Sequence, residues 1–364
     1  MINLQFLPSR RIAWYLAKTF LLRSLAVLFA LVLVLQTLDL LGESGKILRQ
    51  PGNEEAQLWY YVSLRLPQLV ARFLPFSVLL GTLITLAAMN QNSEIVSMKA
   101  AGISAHQIVA PLVLASLLVA AITFAFQERI VTRATASLND WQAVEYGKIR
   151  KIGAATGVWV RHGDDLVLAD QVTGTGARTR LTGVSLYQRS GGTLNAIVTA
   201  RSAAPQGRGW RLDTVRTFDV DRTLVSTAPD LIALEGVAPE QFALADVKAD
   251  EQDFRTLRRS IAELRNAGMV TAPFESGLWH KISGPLSAVL MPLLAAVAAF
   301  GLARGGQLFL RAVIGMGLGF TYFVVDNFAL AMGNLGAYPP LLAAWAPFAL
   351  FLLIGETVLI RTEE

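Results

Sequence analysis

The sequence of 364 residues contains no cysteine and few charged residues. Without cysteine, the chain has no disulfides, no thiol nucleophile and no cysteine-ligated metal site. Its three histidines, His106, His162 and His280, are far apart, and none has the spacing of metal ligands. The net charge is only +5, and no basic patch alternates with aromatic residues, so the composition does not indicate nucleic-acid binding.

Hydrophobic residues make up 53% of the chain and charged residues only 16%, below the roughly 25% that is typical of soluble domains. The sequence contains six apolar runs of about the 20 residues that a spanning helix needs. The first run is too long for the apolar core of a signal peptide, so we expect a retained first span. The runs predict transmembrane helices at residues 20–41, 66–89, 107–127, 282–303, 312–333 and 339–360.

The distribution of Lys and Arg in the short loops predicts the orientation of the chain. Basic residues are more frequent before the first apolar run, and in the loops on that side of the membrane, than in the loops on the opposite side. We therefore expect both termini to be cytoplasmic. The long segment between the third and fourth runs is then expected outside the cytoplasm.

That long segment, residues 128–275, is predicted to be a β domain. Runs rich in β-branched residues flank turns at Gly163–Asp165 and Gly191–Gly192, and a further turn is predicted at 205–209. Short strands separated by regular turns are typical of a sandwich or a jellyroll. The segment ends in an amphipathic helix at 253–267, which either lies along the membrane surface or packs on its own domain.

The predicted fold is thus an α-helical integral membrane protein with an inserted all-β domain. Spans one to three belong to an N-terminal half, residues 1–127, and spans four to six to a C-terminal half, residues 276–364. The β domain at 128–275 separates the two halves.

A short polar helix is predicted at residues 92–102, in the cytoplasmic loop between spans two and three. Asn92 or Ser93 is expected to cap its N-terminus, Glu94 follows in the first turn, and Gly102 is a natural terminator. The helix either only turns the chain around, or docks on a cytoplasmic partner to which it presents Glu94. These two interpretations are equally compatible with the residues.

The sequence provides no site for ATP. A phosphate-binding loop needs the spacing G-x-x-x-x-G-K-[ST], whereas Gly42–Lys46, the most similar segment, has the wrong spacing and lies at the outer side. If the chain moves a substrate against a free-energy difference, we expect another protein to hydrolyse the nucleotide. No cofactor is expected to bind to this chain itself.

Four segments together resemble the LptF/LptG permease family of lipopolysaccharide exporters. NSEIVSMKAAGIS resembles the family's cytoplasmic coupling motif, and GVWVRHGDDLVLADQV resembles the first hairpin of its periplasmic β-jellyroll. SGLWHKISGPLSAVLMPL is similar to the start of the fourth span, and FVVDNFALAMGNLGAYPPLLAAWAP to the fifth and sixth spans. The resemblance extends over essentially the whole chain, and the Gly157–Trp159 and Gly336–Pro340 segments are more similar to the LptG branch.

The resemblance implies a transport role in outer membrane biogenesis. The chain would form a heterodimer with an LptF-like permease in the Gram-negative inner membrane, on an LptB-like ATPase dimer that binds ATP and Mg. An LptC-like single-pass protein would join the complex. Lipopolysaccharide would pass from the inner membrane through the permeases to the periplasmic jellyroll and a periplasmic bridge. The residues implied in coupling to the ATPase are Ser93, Glu94, Ile95, Met98, Lys99 and Gly102.

Members of the family often carry lysines near the outer ends of spans one and two, whereas this chain has Gln36 and Gln68 there. Other basic residues are therefore candidates for contacts with lipid phosphates. They are Lys46, Arg49, Arg65, Arg72, Arg129 and Arg133. Candidate gate or packing residues are Asp39 and Asp326 within spans, and Gly315 and Gly319 at a spacing that permits close helix contact.

Two other functional classes remain open from the residues. An intramembrane enzyme would need a nucleophile, a metal-ligand set or a matched acid–base pair, none of which the sequence indicates. A membrane scaffold or anchor would use the β domain to bind a periplasmic partner without moving lipid. A transport subunit without an ATPase site of its own is the prediction that the resemblance favours.

Overall fold

The computed structural model describes residues 7–147, 154–174, 176–220, 222–244, 247–266, 269–300 and 308–361. The chain forms two compact units. A helical unit comprises Met1–Lys148, Ala249–Leu257 and Ala272–Glu364, and a sheet unit comprises Ile149–Lys248 and Arg258–Thr271. Residues 128–147, which the sequence prediction assigned to the β domain, therefore belong to the helical unit.

Ten α-helices are described, and they differ greatly in length. The third long helix is continuous over Ala105–Ala143, because a π-helical turn at Gln127–Val131 joins two α-helical parts. The helices are α1 (Arg10–Arg49), α2 (Glu55–Gln91), α3 (Glu94–Ala100), α4 (Ala105–Phe126), α5 (Thr132–Ala143), α6 (Pro239–Leu244), α7 (Phe254–Asn266), α8 (Ala272–Phe300), α9 (Leu308–Asn334) and α10 (Pro340–Arg361).

Within the described residues, six helices are long and apolar enough to cross a membrane. The predicted runs fall on α1, α2, α4, α8, α9 and α10, and only residues 301–303 of the fourth run lie outside the described residues. The helix α1 contains 40 residues and is therefore about 60 Å long, twice the roughly 30 Å of a hydrocarbon core. Its ends must project beyond the apolar layer.

The helix α8 is the most buried of the six and contacts α2, α4, α9 and α10. The helix α1 is the least buried and packs mainly on α2. Gly81 permits this close approach, because a Cβ atom there would lie 2.6 Å from the backbone Cα of Ser24. Small residues at such crossings let helices approach closely in a membrane, where packing drives association.

Six antiparallel strands form a single sheet in which every strand pairs with its sequence neighbour. Tight turns connect the first strands where the sequence predicts them. Gly191 and Gly192 have φ angles of 57° and 86°, which a two-residue turn with positive φ at both positions requires. A jellyroll stays a prediction, since the described strands form one meander. The strands are β1 (Ala154–His162), β2 (Asp165–Thr173), β3 (Arg180–Ser190), β4 (Thr193–Gln206), β5 (Gly209–Asp219) and β6 (Leu224–Ala233).

The core of the sheet unit lies on one face of the strands. Alternate residues such as Val167, Ala169 and Leu212 are buried there, as expected for side chains that alternate between two faces. Trp210 is completely buried, and its indole Nε1 donates a hydrogen bond of 2.8 Å to the Val237 carbonyl. The buried polar group of this large side chain is thereby satisfied.

The helix α7 corresponds to the predicted amphipathic helix. Asp253 caps its N-terminus, where a carboxylate oxygen accepts from the Thr256 backbone N–H at 3.2 Å. Hydrogen bonds from Thr256 hold the pKa of the Asp253 carboxyl below its usual range. Leu257, Ile261 and Leu264 are buried, so protein covers the apolar face of the helix. This burial favours packing within the chain over a position along the membrane surface.

Candidate functional site

The short helix α3 has one end as predicted and one that differs. Gly102 has a φ angle of 83°, its N–H donates to the Lys99 carbonyl, and the Ile103 N–H donates to the Met98 carbonyl. These two bonds form a Schellman motif, which ends the helix at the predicted glycine. The expectation of an N-terminal side-chain cap was wrong, because Ser93 adopts a left-handed conformation and its side chain caps nothing.

Three contacts hold α3 against the long helices of the same chain. Ile95 is buried, and Met98 packs against the same core. Lys99 Nζ lies 5.1 Å from the centre of the Phe300 ring at the end of α8. The Tyr15 hydroxyl donates a hydrogen bond of 3.0 Å to Glu94 Oε2, which connects α3 to α1. The helix α3 therefore contacts α1, which precedes the β domain in sequence, and α8, which follows it.

The opposite side of α3 is exposed and uncharged. Its residues Ser93, Val96, Ser97 and Ala100 follow helical spacing, and we call them the docking face. Val96 is 60% exposed. Glu94 borders this face, and its Oε1 atom is not the oxygen that Tyr15 contacts. The exposed side of the helix thus presents one apolar side chain, Val96, beside the carboxylate of Glu94.

Asp39 and Arg65 form an ion pair between α1 and α2. Arg65 Nε and Nη2 donate to the two Asp39 oxygens at 3.1 Å each, and Arg65 Nη1 donates to Gln68 Oε1 at 2.8 Å. The Tyr61 hydroxyl donates a third bond to Asp39, at 2.6 Å. All three guanidinium nitrogens are therefore engaged within the chain. Asp39, predicted as a gate or packing residue, is the partner of a predicted phosphate ligand.

Lys46 is likewise paired, with Glu43 at 2.9 Å in the last turns of α1. The Tyr146 hydroxyl donates to the other Glu43 oxygen at 2.8 Å. Burial, together with this bond and against the effect of Gln142, raises the pKa of Tyr146 to about 12. The phenol therefore stays protonated and keeps its donor role at physiological pH.

The four remaining basic candidates are exposed and form no ion pair with any other residue that the structure describes. Arg49 ends α1, Arg72 lies within α2, and Arg129 and Arg133 lie four residues apart at the junction of the π-helical turn with α5. Their charges remain available to an anion, which distinguishes them from Arg65 and Lys46.

A cavity of about 640 Å³ lies between α2, the π-helical turn with α5, α8 and α9. Its volume is in the range of ligand sites in proteins, about 300–1,000 Å³. Arg72 and Asn327 are exposed members of its lining, whereas Tyr322 and Asp326 are buried members. Phe76 and Phe323 contribute an aromatic wall, with their ring centres 5.0 Å apart. The cavity therefore combines an apolar wall with polar groups at two depths.

Two pairs of an acidic and a basic side chain line or border this cavity. Asp326 Oδ2 lies 3.9 Å from His280 Nε2, and Lys281 Nζ lies 3.4 Å from Glu128 Oε1. Glu128 also accepts a hydrogen bond from the Phe254 backbone N–H, which ties the start of α7 to the π-helical turn. Sequence analysis named Asp326 as a candidate gate or packing residue but assigned no role to His280, Lys281 or Glu128.

Gly315 and Gly319 lie where α9 packs on α2. A Cβ atom at Gly315 would lie 2.7 Å from Leu83 Cδ2, and one at Gly319 would lie 2.2 Å from Leu79 Cδ2. Both glycines therefore permit a close contact within this chain. The structure pairs Asp39 and Asp326 with separate basic residues, so it does not bring these two aspartates together as an acid–base pair.

Comparison with known proteins reveals similarity along almost the entire chain. A family model described as "Lipopolysaccharide export system permease LptF/LptG" matches residues 14–361. The chain is 25% identical over 356 residues to "Lipopolysaccharide export system permease protein LptG" of Escherichia coli (strain K12), covering 95% of this chain and 97% of that protein. It is 24% identical over 348 residues to the protein of the same name from Haemophilus influenzae, covering 93% and 96%.

Proposed function

Because the chain belongs to the lipopolysaccharide export system permease LptF/LptG family, we propose that it is a permease subunit of an ABC-type exporter. It extracts lipopolysaccharide from the inner membrane and passes it to a periplasmic bridge toward the outer membrane. An LptB-like ATPase dimer binds ATP and Mg and drives the movement. An LptF-like permease and an LptC-like single-pass protein complete the complex.

The observation that carries this proposal is the geometry of α3. A helix whose one side is anchored to α1, the core and α8 can transmit a displacement to both segments of the helical unit. Val96 of the docking face, and the Oε1 atom of the adjacent Glu94, would contact a groove on the ATPase. A groove on the ATPase would bury the exposed Val96 side chain, and burial of apolar surface favours association.

The substrate requires an apolar surface along its whole path. Transfer of an acyl chain from lipid into water costs about 0.8 kcal/mol per CH₂, so a 14-carbon chain costs on the order of 10 kcal/mol. The exposed apolar side chains of α1 and α9 supply such a surface within the bilayer, for example Phe29, Leu33, Phe320 and Phe328. One face of the β domain would continue it. No step of this path requires an acid, a base or a nucleophile.

Phosphate groups of the substrate would be bound by the basic residues that the chain does not neutralise itself. Arg49, Arg72, Arg129 and Arg133 meet this condition.

In the proposed topology both termini and α3 are cytoplasmic, three spans precede and three follow the β domain, and the domain is a periplasmic jellyroll. The excess of Lys and Arg on the N-terminal side supports this orientation.

Substitution of Glu94 tests the coupling role. In the reconstituted complex, Glu94→Lys should abolish lipopolysaccharide release and reduce ATPase association, because it reverses the charge beside the docking face. Glu55→Lys is a matched control, since Glu55 is also the first residue of a helix and is exposed. Normal export with Glu94→Lys would contradict the proposal.

Tyr15→Phe distinguishes a role of Glu94 in binding the ATPase from a role in holding α3 against α1 within this chain. It removes the same hydrogen bond as the Glu94 variant but leaves the carboxylate in place. If Tyr15→Phe impaired ATPase association as strongly as Glu94→Lys, Glu94 would act within this chain rather than on a partner. We expect ATPase association to be near normal in Tyr15→Phe.

A further inference from the structure

The cavity between α2, α8 and α9 contains a buried carboxyl group, Asp326, whose basic neighbour His280 lies beyond hydrogen-bond distance. Asp326 is 8% exposed and lines the cavity. Among the described residues, the nearest basic group to it is the His280 ring, whose Nε2 lies 3.9 Å from Asp326 Oδ2. This distance exceeds that of a hydrogen bond, about 2.7–3.2 Å. A buried carboxylate of this kind gains from a donor that enters the cavity.

Other charged groups around the cavity do not fill this role. The Lys281 ammonium is nearly buried and pairs with Glu128 at 3.4 Å. Arg72, on α2, is exposed and forms no ion pair with a described residue. Asp250 is the other carboxylate of the lining, and it is exposed. The cavity therefore presents, among the described residues, one buried carboxyl group without a hydrogen-bonded cation in its depth and one exposed cation, Arg72, without an ion pair.

We propose that this cavity binds the zwitterionic headgroup of an ethanolamine phospholipid, with its ammonium on Asp326 and its phosphate on Arg72. An ammonium group supplies the hydrogen-bond donors that the buried carboxylate lacks. A phosphate is the anion that a guanidinium binds best, through parallel hydrogen bonds. The inference concerns a lipid of the surrounding membrane and goes beyond the export of lipopolysaccharide.

The remaining lining suits the apolar part of such a lipid. Phe76, Phe323, Met291 and Leu330 provide contacts for the glycerol backbone and the first methylenes. The volume of about 640 Å³ accommodates a headgroup with a short length of chain, but not a lipid with several complete chains. Asp326 lies eight residues before the end of α9 at Asn334, about 12 Å at 1.5 Å per residue.

The structure also predicts which lipids are excluded. A choline headgroup carries the same charges but has no N–H, so it cannot donate to Asp326. A phosphatidylglycerol headgroup retains the phosphate and lacks the cation. We therefore expect the preference to be for the primary ammonium, rather than for phosphate alone.

Native mass spectrometry of the purified complex without ATP tests this proposal. Short-chain lipids with ethanolamine, choline or glycerol headgroups are titrated in mild detergent, and bound lipid is counted. Ethanolamine lipid should bind about tenfold more tightly than the other two, the effect of one charge-assisted hydrogen bond. Asp326→Asn should remove this preference, whereas Asp250→Asn, the matched exposed carboxylate, should keep it.

Arg72→Gln should weaken all three phosphate-containing lipids, and Arg255→Gln, which changes an exposed arginine of α7 outside the lining, should not. Because Arg72 is exposed, this variant keeps the test decisive even where Asp326→Asn yields no folded protein. Equal binding of the three lipids to the wild type would overturn the proposal, and so would an ethanolamine preference that survives in Asp326→Asn. Displacement of the lipid by equimolar free O-phosphoethanolamine would also overturn it, since the ligand would then be a soluble zwitterion.

The readout needs neither nucleotide nor lipopolysaccharide. A failure of the export proposal would leave this lipid preference intact. Conversely, absence of the preference would leave the coupling results with Glu94 unaffected.

Discussion

Basic side chains of this chain differ in how far their charge is already neutralised. The pairs Arg65–Asp39 and Lys46–Glu43 satisfy two of the six predicted phosphate ligands internally. Sequence spacing does not reveal the first pair, because its members lie 26 residues apart on different helices. The structure therefore separates the two paired residues from the other four predicted phosphate ligands, a distinction that composition alone does not make.

The Asp39–Arg65 pair should contribute measurably to stability. Asp39→Asn leaves the Arg65 guanidinium, which is 29% exposed, without its anion and weakens the bond from Tyr61. We expect a loss of about 1–3 kcal/mol, reduced from the value for a fully buried pair by partial solvent screening. Thermal unfolding in detergent, followed by the intrinsic fluorescence of the tryptophans, measures it.

Lys46→Gln is the control for this prediction. Lys46 is 64% exposed, and its pair with Glu43 spans one helical turn, so its removal should cost less than about 0.5 kcal/mol. Equal shifts of the melting temperature in the two variants would show that the Asp39 pair is no stronger than a surface contact.

Single residues also show where sequence reasoning succeeded. Gly102 was identified as a terminator because only a residue that tolerates positive φ fits that position, and its φ is 83°. Ser93 was misjudged, since a serine at a helix start usually caps with its side chain, whereas here the backbone turns left-handed. His280 was missed because its partner Asp326 lies on another helix.

Helix packing explains two glycines that the sequence marked only by their spacing. Gly315 and Gly319 lie against Leu83 and Leu79 of α2, where any Cβ atom would collide with a side chain.

Apolar runs locate a spanning helix but underestimate its length, because the polar ends of α1 and α2 continue the helix outside the apolar layer. The turn predicted at the glycine pair Gly191–Gly192 is confirmed. The number of strands in the sheet and their bounds could not be derived from the turns alone.

Substitution within α9 should distinguish its packed side from its free side. Gly319→Ala places a Cβ atom 2.2 Å from Leu79 Cδ2, and we expect a loss of about 1–3 kcal/mol in stability from overpacking. Gly317→Ala meets no atom within 4 Å and should be neutral, or stabilising by up to about 1 kcal/mol through helix propensity. Thermal unfolding of the two variants gives the comparison.

A double variant tests whether contact with Leu79 causes the loss of stability expected for Gly319→Ala. Leu79→Ala removes the colliding atoms, so Gly319→Ala should cost less in that background than alone. Additive effects of the two substitutions would show that Leu79 is not the neighbour that resists the added methyl group.

The docking face of α3 yields a prediction that does not involve Glu94. Val96→Asp should disrupt association with the ATPase, because a charge would replace the apolar side chain of the docking face. The side chain is 60% exposed, so the substitution should leave folding of the chain unaffected. Co-purification of the ATPase with the complex is the measurement.

Val270→Asp is a matched control, since Val270 is also an exposed valine and lies outside α3. It should leave co-purification unchanged. Retention of the ATPase by Val96→Asp would rule out a contribution of the docking face, even if Glu94 proved essential.

The whole chain combines a membrane-spanning helical unit with a sheet unit inserted in its sequence. Hydropathy predicts the spanning helices, because the backbone of each must be hydrogen-bonded within one long apolar segment. The inserted sheet unit is predicted by runs of β-branched residues and by turns. The boundary between the units was less predictable. Residues 128–148 are polar enough to be assigned to a soluble domain, yet Leu138 and Trp141 are buried in a cluster with Tyr61 of α2.

Orientation across the membrane is the property on which the proposed mechanism depends, and the absence of cysteine makes it directly testable. Single cysteines at Ser97 on α3 and Ser226 on β6, both exposed, provide unique labels. In intact cells whose outer membrane has been permeabilised, a membrane-impermeant maleimide should modify Ser226→Cys. It should modify Ser97→Cys only after the inner membrane is opened, because we expect α3 to face the cytoplasm. Labelling of Ser97→Cys in intact cells would place the docking face away from any cytoplasmic ATPase, and energy from nucleotide hydrolysis could then not reach the lipid path through α3.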